Sequence, residues 1–447
     1  MRSRRRTGFI KTAAAAAAGV AALLLLFIFI GRKQKDEVRV PINLNATLTN
    51  AMSDTSSLAR MDKAIENYMV QWGLRGSSLA IMKNDSLVYA KGYGWADEEE
   101  EMHMEPGKVM RLASVSKLLT ATGIMVLRER GQLSLDDKVF GPEGILNDPE
   151  FTAVIKDTNC FNITVEHLLR HQGGFTTRAG DPMFVTGTIM LQNRLKEAPD
   201  HDTLTKIVLR RRLGFKPGTS QDYSNFGYML LSMVIEHVTG EDYESWMQDN
   251  VLRPAGCVDM HIGENYYHEK RENEVKYYVH LKDELVDEFN NSGHKVVRCY
   301  GGSDFKALSG AGAWIASAPE LALFVASIDG RPEVPDIISE ESVREMTRYI
   351  DENTYSLGWN DTREDGTWTR TGTLSCTSAL IKYYPDGECW ILVTNTGTWK
   401  GPRFTKYTST LFNRLRDKYS PLLPERDFFY APTPEKESGR GRKARKS

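Results

Sequence analysis

The organisation of this chain is decided at residues 112–117, Leu-Ala-Ser-Val-Ser-Lys, which are followed at once by an apolar run from Leu118 to Leu127. The run predicts a helix, with Ser114 at its N-terminus and Lys117 one turn further along the same face. An alcohol is a poor nucleophile at neutral pH unless a base lies beside it. A lysine held among apolar side chains, near the positive end of a helix, loses part of its preference for the charged form. The stretch therefore indicates a serine nucleophile with a lysine as its base.

The same Ser-x-x-Lys spacing occurs twice more, at 292–295 and at 303–306. Neither of these matches opens a long apolar helix, whereas the match at Ser114 does. For an isolated match, a helix-capping serine and a solvated lysine would be the simpler interpretation. The rest of the chain has to decide between the two.

The composition is that of a globular protein, with 41% hydrophobic residues, 26% charged residues and a formal net charge of −2 over 447 residues. A nucleic-acid partner is not expected, because binders of nucleic acid usually carry a basic excess. The length fits one large domain with appendages. The five cysteines have neither a CxxC pair nor zinc spacing, and their odd number leaves at least one thiol free: Cys160, Cys257, Cys299, Cys376 and Cys389. For Cys376, close to the third motif below, we expect a small buried side chain.

The N-terminus combines a basic cluster with an uncharged run over residues 13–30, whose length is at the threshold for crossing a bilayer as a helix. A cleaved signal peptide would need small residues after the apolar core, whereas here the alanines precede the leucines. Residues 5–11 resemble a twin-arginine export signal with one inserted residue, but the leucine-rich end is more apolar than such signals usually are. We therefore predict an uncleaved signal anchor over 1–35, with the catalytic part outside the cytoplasm (in the periplasm, for a bacterium). A linker over 36–57, a globular domain over 58–419 and a disordered basic tail over 420–447 complete the expected organisation.

A second motif is Tyr223-Ser224-Asn225, in a turn-rich loop ahead of another apolar stretch. A phenol near an ammonium is favoured as the phenolate and can relay a proton, and the asparagine amide offers a donor and an acceptor to a substrate. Taken alone, the motif also fits a loop tyrosine beside a turn asparagine.

A third motif, Arg370-Thr371-Gly372, precedes Thr373 and two predicted strands that are joined by a Pro385-Asp386-Gly387 turn. A cation followed by Thr-Gly at the start of a buried strand suits an anion, and glycine allows close approach of a substrate backbone. His167 and His171 stand four residues apart, but no third ligand lies nearby in the sequence, so we expect ordinary helix histidines, no metal and no cofactor.

The three motifs, in this order, resemble those of the serine β-lactamase-related family, which includes class C β-lactamases, D-alanyl-D-alanine carboxypeptidases and other penicillin-binding-protein-like hydrolases. The resemblance covers roughly residues 60 to 415. It implies a mixed α/β (α+β) fold of the β-lactamase/transpeptidase type, in which an antiparallel sheet from both chain ends is flanked by helices. A mostly helical subdomain would follow the nucleophile helix, with the active site in the cleft.

The resemblance also implies a role for each motif. Ser114 matches the acylated serine, Lys117 its partner and Tyr223 the proton-exchanging tyrosine. The matched substrate-binding residues are Asn225, Arg370, Thr371, Gly372 and Thr373, and the main-chain N–H groups of Ser114 and Thr373 would form the oxyanion hole.

The departure from the family pattern is Arg370, which stands where lysine or histidine is usual. Its planar fork is expected to read a substrate carboxylate, unless it points away and pairs with an acid such as Asp365. We expect a membrane-anchored serine hydrolase that forms an acyl-enzyme with a small-molecule or peptide amide or ester. The alternative is a penicillin-binding or sensing module without turnover. The oligomeric state is left open.

Overall fold

The computed structural model describes residues 42–178, 180–280 and 285–430. The α-helices within these ranges are α1 Leu44–Thr47, α2 Ala59–Trp72, α3 Ser116–Glu129, α4 Pro149–Val154, α5 Val165–Leu169, α6 Thr186–Asn193, α7 His201–Leu209, α8 Asn225–Thr239, α9 Tyr243–Met247, α10 Ala318–Ala326, α11 Glu340–Thr347 and α12 Phe404–Tyr419. Short 3-10 turns include Asn50–Ser53, Ala113–Val115, Lys306–Ala311 and Ser420–Leu422.

The strands are β1 Gly76–Lys83, β2 Ser86–Asp97, β3 Met102–His103, β4 Met110–Arg111, β5 His261–Ile262, β6 Leu285–Asp287, β7 Lys295–Val297, β8 Trp314–Ala316, β9 Asp361–Thr362, β10 Trp368–Leu374, β11 Thr377–Tyr383 and β12 Glu388–Thr394. Seven of them form one antiparallel sheet in the order β3-β2-β1-β12-β11-β10-β9. Both ends of the domain thus contribute to one sheet, as predicted.

The β1–β2 hairpin shows how local sequence fixes this sheet. Its loop consists of Asn84 and Asp85, which have φ values of 48° and 56°. A two-residue hairpin loop of type I′ requires positive φ at both central positions, and Asn and Asp tolerate that conformation better than most residues. The turn sets the register in which Ile81 lies between Tyr89 of β2 and Trp390 of β12.

Aromatic packing holds two helices against one face of the sheet. Tyr68 and Trp72 of α2 contact Phe404 of α12, with ring centroids 5.8 and 5.1 Å apart. Phe412 of α12 packs on Trp390 of β12 at 5.6 Å. The buried α10 packs against β1 and β12. The sheet is therefore a layer with helices on either side, which is the predicted fold class.

A helical subdomain follows the 3-10 turn Ala113–Val115, which carries Ser114 and is called the nucleophile turn below. This subdomain is centred on α3. Every residue of α3 from Ser116 to Leu127 is buried, and α8 packs along it. The helix gives way to Gly131, whose φ of 67° is the left-handed conformation typical of the position after a helix end. The predicted apolar helix is present.

The predicted linker requires a correction, because its described part is folded against the domain. The side chain of Asn45 donates to Asp259 at 2.9 Å, and the side chain of Ser53 donates to the carbonyl of Ala90 at 2.7 Å. Leu44 and Leu48 are buried. The domain therefore begins at Asn43, because the largely polar segment ahead of α2 still contributes these two buried leucines.

The predicted end of the domain is corrected in the same way, from residue 419 to residue 429. The backbone N–H of Phe428 donates to the carbonyl of Leu87 at 2.9 Å, and Phe429 is buried. The proline-rich composition of this stretch concealed two aromatic anchors. The predicted anchor helix at 13–30 and the late basic tail lie outside the described residues, and within the described ranges no helix has the length and apolarity to cross a membrane.

Candidate active site

The nucleophile turn is a strained bend directly before α3. Ser114 lies in the 3-10 turn Ala113–Val115, and Ala113 has a φ of 48°. A non-glycine residue with positive φ is uncommon, and such residues persist only where the surrounding structure holds them. The bend puts the Ser114 side chain on the wall of a cavity while the backbone on either side of it is buried.

Lys117 is fully buried beneath this serine, and its ammonium meets three acceptors. Its Nζ donates to Ser114 Oγ at 3.2 Å, to Asn225 Oδ1 at 2.7 Å and to the carbonyl of Ala311 at 2.5 Å. An ammonium has three N–H donors, so all of them are used. Burial lowers the pKa of Lys117, and the charge of Arg370 lowers it further, against the opposing influence of Tyr223.

Tyr223 completes the group of titratable side chains. Lys117 Nζ lies 4.9 Å from the centre of its ring. Burial alone would raise the pKa of the Tyr223 phenol, but the charges of Lys117 and Arg370, together with polar contacts to Lys117 and Ser114, outweigh burial and lower the pKa to about 8. The phenol can therefore give up and take back a proton near neutral pH, as a general base and acid must.

Asn225 connects this group to an acid that the sequence did not reveal. Its Nδ2 donates to Asp181 Oδ2 at 2.7 Å, while its Oδ1 faces the lysine. Ser224 caps the helix α8 that begins at Asn225, accepting a hydrogen bond from Gly227 N at 3.0 Å. The position of Asn225 at the start of α8 and the orientation of its side-chain amide are therefore both fixed.

Arg370 lies beside the nucleophile and contacts its backbone. Its Nε donates to the carbonyl of Ser114 at 2.8 Å, its Nη2 donates to the same oxygen, and the side chain is 1% exposed. The guanidinium is thus turned towards the backbone of the nucleophile, and its expected contact with a substrate carboxylate stays a prediction. The alternative pairing with Asp365 is not found, because that carboxylate caps Thr367 N at 2.8 Å.

Gly372 explains how β10 comes so close to the nucleophile turn. A Cβ added to it would lie 2.1 Å from the carbonyl oxygen of Leu112 and 3.1 Å from Ser114 N. Real Cβ atoms do not approach carbonyl oxygens this closely, so only glycine fits. The close approach that the sequence assigned to a substrate is made by the protein's own backbone.

Thr371 and Thr373 follow on the same strand and line the cavity opposite Ser114. Thr371 is held by Asn360, whose Oδ1 accepts from its N–H at 2.6 Å and from its hydroxyl at 3.0 Å. Asn360 itself lines the cavity, a position that no motif in the sequence announced. The predicted roles of the two threonines in substrate and oxyanion binding stay predictions.

The cavity in which these side chains meet has a volume of about 350 Å³. The motif residues on its wall come from the nucleophile turn, the start of α8 and β10. The remaining lining residues are Phe184, Leu308, Ala311, Gly312, Asn360, Leu374 and Pro402. A cavity of this size next to a serine and a titratable phenol is suited to a small acyl group.

His171 is a third residue, after Asp181 and Asn360, whose position in the site the sequence did not show. Its ring packs against the Tyr223 ring at 4.4 Å, and its Nδ1 accepts from Ser224 N at 3.1 Å. Burial lowers the pKa of His171 well below its usual value, and the nearby charges of Lys117 and Arg370 add to this effect. The imidazole is therefore neutral and holds the tyrosine in place. It lies just after α5 with a φ of 59°, so it is not the helix histidine expected.

The other two Ser-x-x-Lys matches do not form such a pair. Lys295 pairs with Asp287 on the β6–β7 hairpin, and Lys306 pairs with Glu264. Among the described residues no cluster of three or more histidine, cysteine or acidic side chains is suited to hold a metal. A disulfide joins Cys299 to Cys376. The expectation for Cys376 is corrected in this respect, since its side chain is buried but bonded.

Comparison with known proteins gives the following matches. A sequence model of the family described as Beta-lactamase matches residues 61–411. Protein flp from Staphylococcus aureus (strain MW2) is 24% identical over 359 residues, which are 79% of this chain and 66% of that protein, so the chain spans slightly less than two thirds of its length. The putative penicillin-binding protein PbpX from Bacillus subtilis (strain 168) is 26% identical over 333 residues, covering 74% of this chain and 73% of that protein.

Solved structures share the fold. A D-amino acid amidase from Ochrobactrum anthropi SV3 superposes with a TM-score of 0.62 at 18% identity, over 81% of this chain and 99% of that chain. The D-alanine carboxypeptidase AmpC from Burkholderia cenocepacia superposes with a TM-score of 0.61 at 17% identity, over 80% and 99%. At these identities the likeness concerns the arrangement of helices and sheet.

Proposed function

The chain belongs to the β-lactamase family of serine hydrolases, and on that premise we propose that it cleaves an amide or ester through an acyl-enzyme on Ser114. The observation that carries this proposal is the set of contacts around Lys117. One buried ammonium touches the serine hydroxyl and the Asn225 amide, and lies against a phenol whose pKa is lowered to about 8. An inert helix cap would need none of these contacts.

In the proposed reaction, Tyr223 with Lys117 takes the proton of the Ser114 hydroxyl as its oxygen attacks the substrate carbonyl. The main-chain N–H groups of Ser114 and Thr373 would face the oxyanion. The leaving amine or alcohol departs with the proton returned from Tyr223, which leaves an ester on Ser114. Water then attacks this ester while Tyr223 takes one of its protons and passes it to the departing Ser114 oxygen, so that the acid product is released and the serine hydroxyl is restored.

The experiment is covalent labelling of the full-length chain in detergent with a fluorophosphonate and a fluorescent penicillin, read by intact mass. We expect one adduct on the unchanged protein and none on Ser114→Ala. Ser292→Ala and Ser303→Ala are matched controls, since each removes the serine of another Ser-x-x-Lys match and should label normally. An adduct that persists in Ser114→Ala would overturn the proposal.

Turnover separates an enzyme from a sensing module with the same pocket. We expect an ester substrate to be hydrolysed many times per protein molecule, because Tyr223 can return to its starting state after each cycle. One equivalent of product followed by a lasting adduct would instead identify a module that only binds.

We further propose that the hydrolase acts outside the cytoplasm, held by residues 13–30 as a membrane anchor. The uncharged run after the arginine cluster supports this location. The Cys299–Cys376 disulfide supports it independently, because such bonds persist chiefly in oxidising compartments. The test is retention of the full-mass chain in the membrane fraction after carbonate washing. A soluble product beginning after residue 30 would contradict anchoring.

A further inference from the structure

Both cations at the nucleophile donate hydrogen bonds to the protein itself. Lys117 uses its three donors on Ser114 Oγ, Asn225 Oδ1 and the Ala311 carbonyl. Arg370 directs Nε and Nη2 to the Ser114 carbonyl and is almost completely buried. Neither side chain lines the cavity. A substrate carboxylate beside the scissile bond would therefore meet no ammonium or guanidinium on the described wall of the cavity.

The cavity wall itself is uncharged. Of the described residues that line it, none carries a formal charge at neutral pH apart from the fraction of Tyr223 in its phenolate form, which would repel an anion. Five side chains on the wall are wholly apolar: Phe184, Leu308, Ala311, Leu374 and Pro402. Phe184 is 41% exposed, so an aromatic ring is presented at the mouth. Binding an apolar substrate group against such a wall is favourable, because apolar surface on both sides is removed from water.

Charged side chains begin only beyond this wall. Arg298 lines a smaller neighbouring cavity, of about 60 Å³, that meets the main one at Phe184, Leu308 and Leu374. On the other side, beyond Asn360, the adjoining groove carries charges of both signs, from Arg363 and from acids such as Glu364. The uncharged region therefore surrounds the scissile bond itself. A charge on a distant part of a long substrate would lie outside this region.

From these observations we infer that the site selects substrates whose group next to the scissile bond is uncharged and apolar. A carboxylate placed there would give up part of its hydration without gaining an ionic partner, which is unfavourable. This inference rests on the proposed acyl transfer and names its substrate class. It reverses the specificity that the Arg370 motif suggested.

The test compares two esters with the full-length chain: phenyl phenylacetate and 3-carboxyphenyl phenylacetate. They share the acyl group and differ by one carboxylate on the leaving group. After each kcat/KM is divided by the rate of spontaneous hydrolysis, we expect the neutral ester to be preferred at least roughly 10-fold, the scale of one unmet polar group. Phe184→Arg places a cation at the mouth and should reduce this preference several-fold. Val70→Arg, on an exposed face of α2, is the control and should leave it unchanged.

The outcomes are distinguishable. Preference for the carboxylate ester, or equal values within about twofold, would overturn the inference while leaving acyl transfer intact, provided that Ser114 is labelled. A preference that Phe184→Arg does not alter would also count against it, because the wall would not be what discriminates. Loss of Ser114 labelling altogether would overturn the proposed function and this inference with it.

Discussion

Asn225 Nδ2 donates to Asp181 Oδ2 at 2.7 Å, and this contact decides which end of the amide faces Lys117. A carboxylate accepts hydrogen bonds but cannot donate them, so the amide nitrogen must turn towards Asp181. The amide oxygen is then left for the Lys117 ammonium, which it meets at 2.7 Å. An acid on a loop thus orients the asparagine and, through it, the lysine beside Ser114.

Removing this acceptor should slow acylation. In Asp181→Ala the amide of Asn225 is free to rotate and can present its N–H₂ to the lysine. We expect the rate of acylation by the fluorophosphonate to fall about 10-fold, the scale of one lost hydrogen bond to a charged group. Asp181→Asn keeps an oxygen acceptor and should recover most of the rate. The exposed Glu197→Gln is the control, and equal losses in the alanine and asparagine variants would argue against an orienting role.

The acylation rate should rise with pH along a limb centred near pH 8. The proton acceptor must be unprotonated to act, and the pKa of Tyr223 is lowered to about 8, so its phenolate fraction grows as the pH passes that value. Tyr223→Phe should remove the limb and cut the rate at least ~100-fold. The measurement is the single-turnover rate between pH 6 and pH 10.

Arg370 gives this pH profile a second test. Its charge is one of the influences that lower the pKa of Tyr223, so Arg370→Gln should move the limb to higher pH. Arg370→Lys retains the charge and should leave the limb nearly in place. A limb that stays at the same pH in the glutamine variant would show that this charge does not act on the phenol.

Much of the fold could be read from the sequence because it is encoded locally. The two-residue turn at Asn84 and Asp85, the capping role of Thr164 and the glycine stop at Gly131 all use short-range backbone preferences. The boundaries were misjudged where few apolar residues anchor polar segments, as Leu44 and Phe429 do. Single anchors of this kind leave no periodic pattern.

The candidate site was predictable only in part. Ser114 and Lys117 share one helical turn, and the tyrosine and asparagine share one short motif, so their spacing carried the signal. Asp181 and His171 reach the site through tertiary packing, and nothing next to them in the sequence marks them. The direction of a long side chain such as Arg370 depends on which acceptor lies near its end. Sequence spacing does not contain that information.

Gly372→Ala tests the close approach of β10 to the nucleophile turn. A Cβ would lie 2.1 Å from the Leu112 carbonyl oxygen, so the strand or the turn must shift. We expect unfolding free energy to fall by about 1–3 kcal/mol, the usual cost of overpacking, together with loss of Ser114 labelling. Gly227→Ala is the control, because its Cβ would meet its nearest neighbour at an ordinary 3.5 Å. Normal labelling of Gly372→Ala would show that the turn tolerates displacement.

A buried pair of acids at the β1–β2 turn predicts how stability depends on pH. Asp85 is completely buried beside Asp329, which accepts from the hydroxyl of Tyr383 at 2.7 Å. Burial, followed by the charge of Asp329 and hydrogen bonding with it, raises the pKa of Asp85 to about 8. The folded protein thus holds a proton on Asp85 that the unfolded chain releases near its ordinary pKa of 3.8.

The folded state binds this proton more tightly than the unfolded state does. The stabilising effect of the proton is therefore complete below the pKa of Asp85 in the unfolded chain, and it is lost as the pH rises to the pKa of Asp85 in the folded protein. The free energy of unfolding, measured by urea titration, should therefore carry a component that falls between about pH 4 and pH 8. Asp85→Asn mimics the protonated acid and should flatten this component, so that the variant gains stability relative to the unchanged protein as the pH rises. Asp287→Asn removes an exposed carboxylate on β6 and should not flatten it. If Asp85→Asn kept the full slope, the proton would reside elsewhere in the molecule.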